Sequence, residues 1–144
     1  MKEQNYSNHR KFVPLFHFAT FFLILLLVIS SAYYVFAAYK KGQSMRPELF
    51  FFLASVVLFS LFTYLRLFAL KAQDRAIRAE ENFRHYLLTG KPFDSRITMR
   101  QVIGLRFASD EEFVELAKKA AESGMSEDEI KKSIKNWKTD NYRA

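Results

Sequence analysis

"LFTYLRLFALKAQDRAIRAEENF", residues 61–83, opens as membrane-grade apolar sequence, admits a cation at Arg66, and closes as a charged segment with no glycine or proline to break it. Whether the greasy half and the charged half are one helix decides the fold. Upstream of Arg66, Leu49–Leu65 runs 17 residues without an acidic or basic side chain, a helical length of about 25 Å. Phe12–Tyr39 likewise holds no Asp, Glu, Lys or Arg, and His17 carries its one ionisable ring nitrogen. Each run is close to the roughly 20 apolar residues that cross a hydrocarbon layer roughly 30 Å thick. Two spans are therefore expected, at 14–39 and 48–70, joined by a loop at 40–47. Arg66 reaches the hydrocarbon boundary, where its long stem carries the guanidinium to the headgroups.

Downstream of Arg66 the helical period continues. Ala72, Ala76, Ala79, Phe83, Tyr86 and Leu87 form one stripe, while Gln73, Asp74, Arg78, Glu81 and Arg84 fall mostly elsewhere. Gly90 is a natural stop and Pro92 a breaker. The economical reading is a single helix that leaves the second span and runs to residue 89, roughly 30 Å beyond the bilayer. His85, on the polar side of it, is expected to be solvated.

The composition agrees with a membrane protein: 50% hydrophobic, 17% aromatic, with 16 Phe and no Cys among 144 residues. The net charge of +7 sits beside the spans rather than in a separate basic domain, and the tail from Phe107 is net acidic. Positive charge in that place resists translocation and favours anionic headgroups. Lys2, Arg10, Lys11, Arg66, Lys71, Arg75, Arg78 and Arg84 lie before the first span and after Leu65 of the second, against Lys40, Lys41 and Arg46 in the loop. That excess predicts both termini in the cytoplasm and the loop outside. Arg10, Lys11, His17, Tyr64, Arg66, Lys71 and Arg75 are the expected membrane-interface residues, and Tyr6 approaches the same surface. The apolar stretch of the first span exceeds the 7–15 residues of a signal-peptide core, so a retained span is expected. Juxtamembrane lipid contact explains the basic and aromatic residues between Arg75 and Arg106 more simply than nucleic-acid binding does.

Three hydroxyl residues in the tail, Thr98, Ser109 and Ser126, are each followed three places on by Gln101, Glu112 or Glu129, the spacing of a reciprocal N-terminal capping box. An apolar stripe follows each, so short helices are expected at 99–107, 110–123 and 127–138. The acid clusters at 110–112 and 127–129 fit first helical turns, which favour negative charge. They lack calcium-loop spacing. His9, His17 and His85 share no metal-binding spacing, and the four scattered glycines form no phosphate loop. No catalytic, cofactor-binding or metal-ligating residue is nominated. The short tail is near the lower limit for a self-sufficient core, so its apolar surface needs the Ala76–Leu87 stripe or a partner to cover it.

The start "MKEQNYSNHRKFVPLFHF", the tract "LRLFALKAQDRAIRAEENFRHYLLTGK" and the ending "RITMRQVIGLRFASDEEF" through "EIKKSIKNWKTDNYRA" resemble a bacterial family of small two-span membrane proteins classed only as a domain of unknown function. The resemblance covers nearly the whole chain and implies the same layout, without an activity to carry over. The expectation is an all-α protein: a transmembrane hairpin (1–70) whose second span continues as a long cytoplasmic helix into a three-helix bundle (71–144). It would sit in the bacterial inner membrane as a non-enzymatic scaffold or accessory subunit. The bilayer, with its anionic headgroups, and another protein or a second copy would be its partners. Phe83, Tyr86, Leu87, Phe107, Phe113 and Trp137 are the candidate contacts, wherever the fold exposes them. The competing expectation is a transporter or channel accessory with Arg66 and His17 near a polar path.

Overall fold

The computed structural model describes residues 4–9 and 12–140, and among these the protein is all-helical, with no strand. A π-helical stretch, Leu15–Thr20, leads into α1 (Phe21–Lys40); α2 (Arg46–Thr89), α3 (Met99–Leu105), α4 (Asp110–Ser123) and α5 (Glu127–Ser133) follow. The chain divides into two compact units, Phe12–Phe68 and Met1–Lys11 with Ala69–Ala144. The helix expected to end near residue 89 ends at Thr89, where Gly90 takes a left-handed φ of 71° and donates its N–H to the Tyr86 carbonyl.

The first unit contains the two apolar runs. Its opening turns are π-helical: the Thr20 hydroxyl donates to the Leu15 carbonyl five residues back, which suits that wider register. Gly42, at a φ of 64°, closes α1, and α2 begins at Arg46 with Pro47 in its first turn, where a missing N–H does no harm. The Ser31 and Ser55 hydroxyls meet at 3.1 Å, both buried, and the rings of Phe16 and Phe62 stack at 4.5 Å. Small side chains at the serine contact let the two helices approach closely. Most other apolar side chains point outward: of the most apolar windows in the two long helices, only 11% and 6% is buried. Both helices are long and apolar enough to cross a membrane.

The second unit has a core of its own. Val102 and Leu105 of α3, Phe113, Leu116, Ala117 and Ala120 of α4, and Ile130 of α5 pack with Ile97, Phe107, Ala108, Ile134 and Ile77 of α2. Gly104 makes the α3–α5 contact possible, because a Cβ placed there would lie 3.1 Å from the Glu127 carbonyl oxygen and 3.1 Å from Ile130 Cγ2. Two of the three capping boxes form, at Thr98–Gln101 and Ser126–Glu129. Gln101 also donates from Nε2 to the carbonyls of Ala120 and Met125, tying the start of α3 to the end of α4.

Two local readings of the tail are corrected. Ser109 makes no side-chain cap: the Glu112 N–H donates to the Ser109 backbone carbonyl instead, and the Glu112 carboxylate, which would close the reciprocal box, accepts the backbone N–H groups of Lys135 and Asn136. The same bonds end α5 at Ser133, short of residue 138; Ile134 is extended, and Trp137 forms an isolated antiparallel bridge with Ala108. The helical period there continued into residues whose N–H groups have better partners outside the helix.

The stripe is a third correction. The tail does use α2, as its small size requires, but it packs on the other face. Ile77 and Glu81 are buried and Arg84 and His85 half-buried, whereas Phe83, Tyr86 and Leu87 are 62%, 52% and 67% exposed, and Ala72, Ala76 and Ala79 are exposed with them. Polar residues occupy the buried face because each finds a specific partner there.

Candidate interaction surface

The inward face of α2 is bound by a polar network. Arg84 donates from Nε to Asp110 at 2.7 Å, from Nη1 to Glu81 at 3.0 Å and from Nη2 to the Ala108 carbonyl at 2.8 Å. Its guanidinium also lies 4.2 Å from the centre of the Phe113 ring. Burial pushes the Glu81 carboxyl up from the usual glutamate range, against the pull of Arg84. Asn82 accepts the Phe93 N–H, so it too is occupied by its own chain. His85 is half-buried rather than fully solvated: Nδ1 lies 2.8 Å from the Lys91 carbonyl, and its ring packs on Phe93 at 4.7 Å. Beside it, Arg96 holds the Asp94 carboxyl down at about 2.

A second contact was not legible in the sequence. The N-terminal segment, read there as approaching the membrane, packs against α5 and the segment that follows it. The Tyr6 hydroxyl donates to Asp128 at 2.5 Å, the Gln4 side chain accepts the Asp140 N–H at 2.8 Å, and the His9 ring lies against Phe107 and Trp137. Lys131 Nζ lies 3.3 Å from His9 Nε2 and forms an ion pair with Glu127. The Tyr6–Asp128 and His9–Lys131 contacts each join residues 122 positions apart, which no local pattern encodes.

Of the six candidate contact residues, Phe107 and Phe113 are fully buried core members and Trp137, half-buried, packs on Phe107 at 5.1 Å. Phe107 and Phe113 are therefore not surface residues, and Trp137 is only partly one. Phe83, Tyr86 and Leu87 remain, on the outward face of α2. Among the expected interface residues, Arg10 and Lys11 lie outside the described residues. Tyr64 stacks on Phe68, Arg66 is half-buried, and Lys71 and Arg75 are exposed. The His17 ring nitrogen sits 3.0 Å from the Val13 carbonyl with its ring edge-on to Phe12 and Phe16; among the described residues no hydrogen bond or ion pair joins it to Arg66. No group of three or more His, Cys, Asp or Glu side chains able to hold a metal occurs among the described residues.

A family described as a family of unknown function (DUF6526) matches residues 1–144. No curated protein and no solved structure matches the chain significantly.

Proposed function

We propose that this chain, which belongs to the family of unknown function DUF6526, is a non-enzymatic two-span membrane protein that presents the outward face of its long helix to another protein. In this reading α1 and the first part of α2 form a transmembrane hairpin. Helices that are apolar all round are either buried in protein or surrounded by lipid, and the low burial of these two supports lipid. The packing of Gln4, Tyr6 and His9 against residues 107–140 supports placing both ends of the chain on one side of the membrane. The count of flanking cations favours the cytoplasmic side, and the family resemblance favours a bacterial inner membrane.

The observation that carries the docking role is the exposure of Phe83, Tyr86 and Leu87 on a helix whose polar face is already occupied. Aromatic and aliphatic anchors of this kind contribute most of the binding energy at protein interfaces. Chemical cross-linking of the full chain in native membranes should yield a species above monomer mass. The double variant Phe83→Glu, Leu87→Glu should lose that species while resisting carbonate extraction. An undiminished cross-linked species would overturn the docking role, and release of the unaltered chain by carbonate would overturn the membrane reading.

A further inference from the structure

The exposed residues of α2 have a finer order than a loose apolar patch. Ala69, Ala72, Ala76, Ala79, Phe83 and Tyr86 follow one another at spacings of three, four, three, four and three residues. This is the alternation that keeps a seam facing a partner helix in a left-handed coiled coil. With Ala76 and Phe83 at first (a) positions and Ala79 and Tyr86 at fourth (d) positions, Ile77, Glu81 and Arg84 fall on the outer positions of the heptad. Those are the residues that the tail covers. The middle of the seam therefore lies about half a turn away from Ile77, Glu81 and Arg84, between residues 93–95 on the Arg75 side and 138–140 on the Glu80 side, and its small side chains leave room for another backbone.

The flanking positions indicate what that other helix is. Arg75 precedes the Ala76–Ala79 pair and Glu80 follows it, and both are exposed. In a parallel pair of identical helices, the residue before one core pair faces the residue five places later on the partner. Arg75 of each copy then meets Glu80 of the other, twice, by symmetry. Antiparallel pairing of the same seam would set Arg75 against Arg75 and Glu80 against Glu80. Leu87, at the next flanking position, widens the apolar seam. On the partner it faces Asn82, whose side chain is already committed to Phe93. Charge complementarity thus selects one occupant and one direction.

We infer that residues 69–87 of α2 pair in parallel with the same segment of a second copy of this chain, through an Ala69–Ala72–Ala76–Ala79–Phe83–Tyr86 seam flanked by reciprocal Arg75–Glu80 ion pairs. This rests on the membrane reading above, because copies inserted with one topology present their helices in parallel. Confinement to a bilayer also raises the effective concentration that an alanine-rich seam needs.

The chain contains no cysteine, so single replacements report pairing directly. In native membranes under mild oxidation, Ala72→Cys and Ala79→Cys should give a disulfide-linked dimer, whereas Lys71→Cys and Arg78→Cys, exposed but off the seam, should give little. On the Ala79→Cys background, Glu80→Arg should weaken the dimer band several-fold, and adding Arg75→Glu should restore it. Equal bands at all four sites, no band at any, or a band indifferent to Glu80→Arg would each overturn the parallel dimer. If a cross-linked species sensitive to Phe83→Glu, Leu87→Glu persisted in that case, the docking role would stand with a different partner. Carbonate release of the chain would remove both.

Discussion

At the residue scale, the tail depends on a few side chains placed where one atom more or less matters. Gly104 is the clearest. It adopts ordinary helical geometry, so its purpose is space: an added methyl meets a backbone carbonyl and a β-branched side chain, neither of which yields easily. Gly104→Ala would normally strengthen a helix. Here it should instead lower the stability of the tail by about 1–3 kcal/mol, as overpacking does, measured as a fall in the denaturation midpoint by circular dichroism. A midpoint that rose would mean that α3 and α5 can part without loss. In the sequence Gly104 was one of four scattered glycines, since a close approach between Gly104 and Ile130, 26 positions on, leaves no local mark.

At the element scale, three identical cap patterns have different fates. Ser126 caps α5 in a reciprocal box, whereas Ser109 heads α4 without a side-chain cap, its backbone carbonyl taking the Glu112 N–H while the Glu112 carboxylate serves the chain after α5. Ser126→Ala should therefore cost about 1 kcal/mol, the usual value of a lost cap, and Ser109→Ala distinctly less. Equal losses on thermal unfolding would indicate that Ser109 caps α4 in solution. The long helix makes the same point over more residues. Its apolar stripe was legible, and so was its end at Gly90, but which face turns inward was decided by Arg84 and His85 finding partners in residues 91–110, with Glu81 paired to Arg84 beside them. An apolar moment orients a helix only when nothing stronger competes, and here hydrogen-bonded charge competes.

At the scale of the whole molecule, both ends of the chain belong to one compact unit. Asp128 links them through Tyr6, and Lys132, then Tyr6, hold its carboxyl below the usual aspartate range. A carboxyl held low in the folded state contributes stability that is whole above the ordinary aspartate range and is lost as pH falls through the lowered value. The N-terminal contact should therefore loosen in strong acid. Trp137, the single tryptophan, touches His9 and can report it by fluorescence. Asp128→Asn should loosen the contact already at neutral pH and flatten the acid transition; an unaltered transition would separate Asp128 from the N-terminal contact.

The sequence by itself determined the helical class, the two long apolar helices, the unbroken run through Arg66 to Thr89 and the starts of the three tail helices. These features rest on composition, period and punctuation, all of which act between residues close in the chain. Only the tertiary structure decided that the polar face of α2 is the buried one, that Phe107 and Phe113 are core, and that the N-terminal segment packs beside α5. Each of those outcomes is a competition among partners brought together from distant parts of the chain, and a buried polar group goes where its hydrogen bonds are met.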